Sequence, residues 1–439
     1  MLARSDLRGV ADPVSALAPP PDDPGPVEAV REVLAAVRDR GDAAVREYTA
    51  RFDGCRVDDL RVPTAALTSA LAGLAVDVRR ALDRAHGEIA AYHSAQRDDG
   101  FTLDRGGIRL TERVVPVRRA GCYVPGGRAT YPSTVLMTAV PARIAGVGEI
   151  ALCVPPGPDG EVPAVTLAAA AVAGVDEVYR VGGAQAIAAL AYGTESIPAV
   201  DVIVGPGNAY VALAKRELAG AGVVGIDGFA GPSEVAIVAD ADADPRWVAA
   251  DLLAQAEHGP GGAAVLVTWD PTVADAVDAA IATLLADAPR RADIEATLAS
   301  GGRVLLVDDA EAALRVVDVL APEHLELVGA GAEALADRVR NAGAIFVGPY
   351  APAALGDYIA GVNHVLPTAR SARFAGALRV DTFCKRIHVV TASAAGFADV
   401  ASSVVVLANE EGLAEHARSV SIRLGSIHEA AHPVQEPTP

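Results

Sequence analysis

The segment VLAPEHLELVG places a carboxylate and an imidazole side by side, at Glu323 and His324. A histidine titrates near neutral pH and can accept or donate a proton, and a neighbouring carboxylate can activate water or orient the ring. Pro322 disfavours continuation of a preceding helix, so the pair is predicted on a turn at the mouth of a strand. A solvated surface turn explains the same two residues about equally well.

A second set of side chains offers nitrogen and oxygen donors for a metal ion. In the helical segment WVAADLLAQAEHG, Gln255 and His258 are spaced i to i+3 and project from one face. Asp357, nearby His364 and the more distant His416 could add the donors that zinc accepts when thiolates are absent. For His258 alone, an interaction with the helix dipole is the better explanation. Residues so far apart meet only through folding, so spacing does not establish the site.

Three glycine-rich turns each join a predicted strand to a predicted helix. They are GPGNAY at 205–210, VGGAQA at 181–186, and GCYVPGGRATYPST, which contains Tyr123. Backbone N–H groups at such turns can bind an anion, and the helix dipole favours negative charge there. Tyr210 occupies the third glycine position of the dinucleotide fingerprint, so the motif is incomplete. By themselves these turns favour plain βα connections over a cofactor site.

The composition bounds the architecture and excludes some partners. Of 439 residues, 51% are hydrophobic and only 4% aromatic, so small aliphatic residues must build the cores of two or more domains. The formal charge of -19, without a Lys and Arg stripe, argues against nucleic acid as a partner. Neither a signal peptide nor a membrane-spanning stretch is visible, so we expect a cytoplasmic protein. The cysteines lie far apart without CxxC spacing and are expected to be buried reduced thiols: Cys55, Cys122, Cys153 and Cys384.

The elements that must position these residues follow from hydrophobic periodicity. The segment before about Pro26 is rich in Pro and Asp and is expected to be an arm, and amphipathic helices follow it. From about Val114, short β-rich runs alternate with Ala-rich helices, which indicates βαβ units and a parallel sheet. A second such set begins at EVAIVAD and includes a helix near Ala274 to Ala288. The C-terminal segment is predicted to be a tail that cannot bury itself alone.

Several long motifs, in this order, resemble the histidinol dehydrogenase family from near Val30 to about Ile427. They are YVPGGRATYPSTVLMTAVPARIAG, VGGAQAIAALAYGTESIP, VGPGNAYV, AGPSEVAIVAD, DLLAQAEHGP, APEHLEL, GDYIAGVNHVLPT and EGLAEH. The resemblance implies an α/β fold with two Rossmann-like doubly wound domains, an N-terminal helical arm, and a C-terminal extended and helical tail exchanged in a homodimer. The implied boundaries are 1–26 for the arm, 27–120 plus 235–378 for the larger domain with the zinc and acid-base residues, 121–234 for the NAD domain, and 379–439 for the dimerisation tail. The N-terminal arm and the PPGPDGEVP loop do not match the family closely.

The same resemblance implies roles for individual residues. The implied zinc ligands, for one ion per subunit, are Gln255, His258, Asp357 and His416 of the partner subunit. The implied acid-base pair is Glu323 and His324. The implied NAD+ contacts are Tyr123, Gln185 and Asn208. The implied contacts to L-histidinol are Ser233, His324, Glu411 and the zinc ligands.

These residue types fit the four-electron oxidation of L-histidinol to L-histidine through L-histidinal. A neutral His324 is expected to take the hydroxyl proton as hydride leaves, and Glu323 to deprotonate the water that hydrates the aldehyde. Zinc is expected to orient the substrate. Three alternatives stay open: a dehydrogenase of another amino or sulfo alcohol on this scaffold, a zinc hydrolase in which Glu323 activates a metal-bound water, and a non-catalytic nucleotide-binding module.

Overall fold

The computed structural model describes residues 2–10, 12, 17, 25–126, 129–175, 177–228, 231–259 and 261–431. The contacts divide the chain into a first unit, Met1–Arg97 with Val117–Phe383, and a second unit, Asp98–Pro116 with Cys384–Pro439. The described strands are β1 Ala3–Asp6, β2 Phe101–Arg105, β3 Ile108–Pro116, β4 Arg119–Tyr123, β5 Glu149–Val154, β6 Glu177–Arg180, β7 Val202–Val204, β8 Gly225–Ile226, β9 Glu234–Ala239, β10 Ala263–Thr268, β11 Gly302–Leu306, β12 His324–Val328, β13 Ala344–Val347 and β14 Cys384–Ala392.

The described helices are α1 Val27–Arg40, α2 Asp42–Phe52, α3 Thr64–Ala72, α4 Val76–Ser94, α5 Pro132–Ala145, α6 Ala164–Val172, α7 Gly183–Tyr192, α8 Ala209–Gly220, α9 Pro245–Ala256, α10 Pro271–Leu285, α11 Arg291–Gly301, α12 Ala310–Leu320, α13 Ala330–Glu333, α14 Ala353–Tyr358, α15 Ala394–Glu410 and α16 Ala414–Ala431. Short 3-10 turns occupy Ala336–Arg338, Ser371–Arg373 and Val380–Phe383.

The first unit contains two parallel sheets, as the alternating β and α pattern predicts. One has five strands in the order β6-β5-β4-β7-β8, with α1, α2, α7 and α8 over one face and α3 to α6 over the other. The other has six strands in the order β1-β11-β10-β9-β12-β13, with α9 to α11 over one face and α12 and α13 over the other. Strands covered on both faces are largely apolar, which explains the Val- and Ala-rich runs of the sequence.

Two observations bear on the predicted grouping of the elements. Within the predicted arm of residues 1–26, β1 pairs in parallel with β11, and Leu2 is buried in the core. The Pro-rich composition applies to the residues after this short strand, most of which lie outside the described residues. The helices within 27–94 share their buried clusters with the five-stranded sheet, rather than with the sheet of 235–378. The domain boundaries as such remain a prediction.

The second unit is a three-stranded antiparallel sheet, β14-β3-β2, with helices α15 and α16. The β2–β3 hairpin therefore belongs with the C-terminal segment, because β14 pairs with β3 along its whole length, from Cys384 opposite Pro116 to Ala392 opposite Ile108. Several large apolar side chains of this unit are exposed: Phe101, Leu103, Ile387, Val389, Val390, Val404, Val406, Leu407, Leu413 and Ile422. This exposure agrees with the prediction of a tail that does not bury itself.

Burial also accounts for the cysteines of the first unit. Cys55, Cys122 and Cys153 are buried, and burial raises the pKa of the Cys122 thiol to about 12, so that thiol stays protonated and unreactive.

Across the described ranges, no helix combines the length and the apolar character needed to cross a membrane.

Candidate active site

Glu323 and His324 lie at the amino end of β12, directly after the turn that ends α12. Ala321 caps that helix in a left-handed conformation, and its N–H donates to the Val317 carbonyl at 2.8 Å. Pro322 follows and prevents further helix, so the predicted turn at the mouth of a strand is confirmed. Both members of the pair are buried, which excludes the solvated surface turn.

Acidic and carbonyl oxygens surround the imidazole of His324. Its Nδ1 lies 3.2 Å from the Glu234 carbonyl oxygen and 3.6 Å from Glu323 Oε2. Its Nε2 lies 3.5 Å from Asp357 Oδ1, which is an ion-pair distance and leaves this buried nitrogen without a hydrogen-bond partner among the described residues. The Phe346 ring stacks on the imidazole at 6.1 Å and holds its plane. A fixed imidazole with one unsatisfied nitrogen is suited to exchanging a proton with a bound molecule.

The protonation states of the pair are shifted by burial and by neighbouring charges. Burial raises the pKa of Glu323, whereas His324, the Glu234 N–H at 2.9 Å and the Ser233 hydroxyl favour its ionised form. Burial lowers the pKa of His324, but Asp357 and Glu323 outweigh burial and raise it to about 9. The imidazolium is thus favoured while the Asp357 carboxylate faces it. The sequence predicts a neutral His324 as the base. His324 can be neutral only if another cation binds the Asp357 carboxylate.

Three of the predicted metal ligands come from two helices that end at the same edge of the six-stranded sheet. Helix α9 begins at Asp244, whose side chain accepts the Arg246 N–H, and returns antiparallel to β9 toward the edge where His324 lies. At its C-terminal end, Gln255 Nε2 lies 3.4 Å from His258 Nδ1. Asp357 is supplied by α14.

These side chains offer an amide, an imidazole and a carboxylate, all of which zinc accepts as donors. Burial raises the pKa of Asp357, but the imidazoles of His324, His364 and His258 outweigh it and lower that pKa, so the carboxylate is ionised. Over the part of the chain that the structure describes, no three His, Cys, Asp or Glu side chains come together as a metal site.

His364, the additional metal candidate of the sequence analysis, is engaged within the chain. Its Nδ1 lies 2.9 Å from the Asp357 carbonyl oxygen, and its Nε2 lies 3.2 Å from Thr134 Oγ1. Because both ring nitrogens have partners, His364 positions Asp357 rather than offering a free donor.

The predicted cofactor residues lie at the carboxyl edge of the five-stranded sheet. The strand order reverses between β4 and β7, and ligands bind at such a reversal in open α/β sheets. Tyr123 ends β4, Gln185 lies in the first turn of α7, and Asn208 caps α8.

In the six-stranded sheet the strand order reverses between β9 and β12. There the Asp240 carboxylate accepts the N–H groups of Gly331 at 2.6 Å and Ala332 at 3.2 Å. These N–H groups at the second reversal therefore already have a hydrogen-bond acceptor within the chain.

Gln185 carries the strongest local sign of a ligand at this edge. Its side chain is fully buried, and neither amide atom has a hydrogen-bond partner among the described residues. The Gly183 N–H donates to the Tyr123 hydroxyl at 3.1 Å, so the two predicted contacts adjoin one turn. Asn208 Oδ1 accepts the N–H groups of Tyr210 and Val211, which leaves only its amide nitrogen for a ligand. Donors and acceptors of this kind fit a dinucleotide.

The GPG turn before Asn208 is held by a buried ion pair. The Gly205 N–H donates to Asp227 Oδ2 at 2.7 Å, and Lys215 Nζ donates to the Gly205 carbonyl at 3.0 Å. Lys215 and Asp227 also bond each other, and both side chains are buried. Gly205 has a φ of 111°, and a Cβ there would lie 2.1 Å from the Tyr123 carbonyl oxygen, so only glycine fits.

One cavity is lined both by the GPG turn and by Glu323. It has a volume of about 150 Å³, and its lining includes Gly205, Pro206, Ser233, Glu323 and His364. A molecule in this cavity therefore lies close to both the GPG turn and the Glu323 carboxylate.

Glu411 and His416 are exposed residues of the second unit. Glu411 caps the C-terminal end of α15, and His416 lies in the first turn of α16. Their predicted contribution comes from a second subunit, which a single chain does not contain.

Sequence reasoning missed five residues around the site. They are Lys215, Asp227, Glu234, Asp251 and Glu326. Glu326 left a signal, because it is the acidic member of the otherwise apolar alternation HLELV. The others become visible only through contacts between distant segments.

The comparisons with known proteins agree on one family. The family model described as histidinol dehydrogenase matches residues 22–424. A histidinol dehydrogenase of Parasynechococcus marenigrum is 53% identical over 393 residues, which cover 89% of this chain and 90% of the relative. One from Synechococcus sp. is 51% identical over 401 residues, covering 91% and 92%. The crystal structure of histidinol dehydrogenase from Elizabethkingia anophelis aligns with a TM-score of 0.92 at 32% identity and covers 97% of this chain and 99% of that chain.

Proposed function

Since this chain belongs to the histidinol dehydrogenase family, whose members are NAD-dependent oxidoreductases, we propose that it oxidises L-histidinol to L-histidine through L-histidinal at one zinc-containing site. The observation that carries the proposal is the cavity that reaches from Gly205 and Pro206 to Ser233 and Glu323. A small substrate in this cavity would lie beside the Glu323 carboxylate and beside the GPG turn that precedes the proposed cofactor contact Asn208. Reactants held in one such geometry avoid much of the entropic cost of a bimolecular encounter.

The zinc ion would be held by Gln255, His258, Asp357 and His416 of the partner subunit. When bound, it supplies a Lewis acid that orients the imidazole and amine of the substrate. Engagement of the Asp357 carboxylate by a cation removes the charge that favours the imidazolium of His324, and this restores the neutral base. Tyr123, Gln185 and Asn208 would hold NAD+, the hydride acceptor.

In the first half-reaction, His324 takes the hydroxyl proton of the alcohol as hydride leaves its carbon, and the aldehyde forms. In the second, Glu323 removes a proton from the water that adds to the aldehyde, and the protonated His324 gives its proton to the aldehyde oxygen, so that the hydrate forms and the imidazole is neutral again. His324 then takes a hydroxyl proton of the hydrate as a second hydride leaves to a fresh NAD+, and the carboxylate product forms. Ser233 and Glu411 of the partner subunit would hold the substrate between the steps.

The two parallel sheets would be Rossmann-like domains, and the second unit would be exchanged between the subunits of a homodimer. Exposed apolar patches of this kind mark protein interfaces. The tail's exposed Val, Leu and Ile side chains support this assembly.

The stoichiometry of cofactor reduction tests the function. Purified enzyme with limiting L-histidinol and excess NAD+ should form two NADH per substrate consumed, with L-histidine as the product by chromatography. One NADH per substrate would contradict the four-electron reaction, and no NADH would contradict the dehydrogenase assignment.

A further inference from the structure

Asp251 and Glu326 form a carboxyl pair on two of the elements that carry predicted site residues, with Glu326 buried and Asp251 half-buried. Glu326 follows His324 by two residues in β12, so both face α9, and it is only 1% exposed. Asp251 precedes Gln255 by one turn of α9 and shares its face of the helix. The two carboxyl groups lie close enough for each to affect the pKa of the other.

Glu326 also contacts α14, the helix that carries Asp357. Its Oε1 accepts the Ala353 N–H at 2.7 Å. Ala353 is the first residue of α14, and Asp357 follows one turn later. The Asp251–Glu326 pair thus joins β12, α9 and α14, which carry the imidazole base and three predicted zinc ligands.

The Asp251–Glu326 contact joins two acidic groups, so it depends on a proton held by one of them. Two carboxylates in contact cannot both ionise, so one proton must lie between them. Burial and the charge of Asp251 raise the pKa of Glu326 to about 8, although the Ala353 N–H and His324 oppose this, and burial also raises the pKa of Asp251. A carboxyl group with a raised pKa retains its proton more readily, and a retained proton gives the pair an O–H donor.

We propose that the Asp251–Glu326 pair is a positioning device that fixes α9 and α14 against β12 and thereby sets the separation of Gln255, His258 and Asp357. The inference rests on the proposed zinc site. Some residues hold metal ligands in place without contacting the metal themselves. Their removal lowers metal affinity or activity by about 10- to 100-fold.

The test compares isosteric and truncating substitutions. Glu326→Gln keeps an acceptor for the Ala353 N–H and a donor for the Asp251 carboxylate, so zinc affinity should stay within a few-fold of wild type. Glu326→Leu removes both contacts and should weaken zinc binding about 10- to 100-fold, measured on the dimeric apoprotein by competition with a chromogenic chelator. The KM for L-histidinol should rise with it, and the KM for NAD+ should not.

A matched control separates positioning from general destabilisation. Glu177 also belongs to a buried network, bonding Arg119 and Tyr179 at the far side of the five-stranded sheet. Glu177→Gln should lower stability without changing zinc affinity. If Glu326→Leu does not fold, Asp251→Ala against Asp251→Asn gives the same comparison.

The outcomes separate this inference from the function it rests on. Equal zinc affinity of Glu326→Gln and Glu326→Leu, or of the two Asp251 variants, would overturn the positioning role. Absence of zinc binding in the wild-type dimer would instead overturn the proposed site.

Discussion

The two carboxylates that flank His324 differ in what surrounds them, and the difference separates their tasks. Glu323 Oε2 accepts a backbone N–H from Glu234 at 2.9 Å and lines the cavity, so it faces a bound substrate or water. Asp357 faces three imidazoles, which lower its pKa and keep it a charged donor. The first is therefore placed for proton transfer and the second for binding a cation.

Glu323→Gln should separate the two half-reactions. The amide cannot accept a proton from water, so hydration of the aldehyde should slow about 10²- to 10⁴-fold while the first hydride transfer survives. A single-turnover experiment with excess NAD+ should give one NADH per site rapidly and the second slowly. His324→Gln should slow both phases. His388→Gln, on a side chain that is 80% exposed in the second unit, should leave both unchanged. Equal slowing of both phases by Glu323→Gln would refute the division of roles.

The Arg119–Glu177 ion pair predicts a pH-dependent part of the stability. Arg119 is buried and holds the pKa of Glu177 below its ordinary value, although burial opposes this. A depressed carboxyl pKa contributes stability that is present above the unfolded value, near pH 4.3, and is lost as the pH falls through the folded value. The gap in unfolding free energy between wild type and Glu177→Gln should therefore shrink on acidification, as measured by urea denaturation. A gap independent of pH would contradict this reading.

At the scale of elements, local patterns in the sequence predict most of the first unit. The β-rich runs and Ala-rich helices after Val114 become the two parallel sheets, since periodicity reports which face of each element is buried. The helix expected near Ala274 to Ala288 spans Pro271–Leu285.

Strand β1 was not predicted, because a four-residue edge strand has too short a hydrophobic pattern. The pairing of β14 with β3 was not predicted either, because the two segments lie far apart in the chain. The candidate site divides in the same way. Gln255 lies near the end of α9 and His258 lies in the turn after it, and their side chains adjoin as the three-residue spacing predicts. The Lys215–Asp227 clamp depends instead on contacts with Gly205 that no local pattern encodes.

That clamp gives a prediction about the cofactor edge. Lys215→Met leaves Asp227 buried without its cation and releases the Gly205 carbonyl, which should cost about 3–5 kcal/mol of stability. Because the GPG turn positions Asn208, the KM for NAD+ should rise about ten-fold, and the KM for L-histidinol should change little. Lys385→Met, at an exposed position of β14, is the matched control. Steady-state kinetics with each substrate varied in turn would decide, and an unchanged KM for NAD+ would rule out the positioning of Asn208 by this pair.

At the scale of the molecule, the first unit carries the proposed zinc donors Gln255, His258 and Asp357, and the second unit carries exposed apolar side chains together with Glu411 and His416. The proposed homodimer that exchanges tails would bury the apolar surface and complete each site. In such a dimer each site takes Gln255, His258 and Asp357 from one subunit and His416 from its partner.

Subunit mixing tests that arrangement directly. His258→Ala and His416→Ala should each abolish zinc-dependent turnover in a pure homodimer, since every site then lacks one ligand. When equal amounts of the two variants are unfolded together and refolded, about half of the dimers should be mixed. Each mixed dimer has one site with both substitutions and one with neither, so about a quarter of wild-type activity should return. Refolding each variant alone is the control for recovery. If the mixture stays as inactive as its components, while wild type refolds to full activity, then His416 serves the site of its own chain or no site at all.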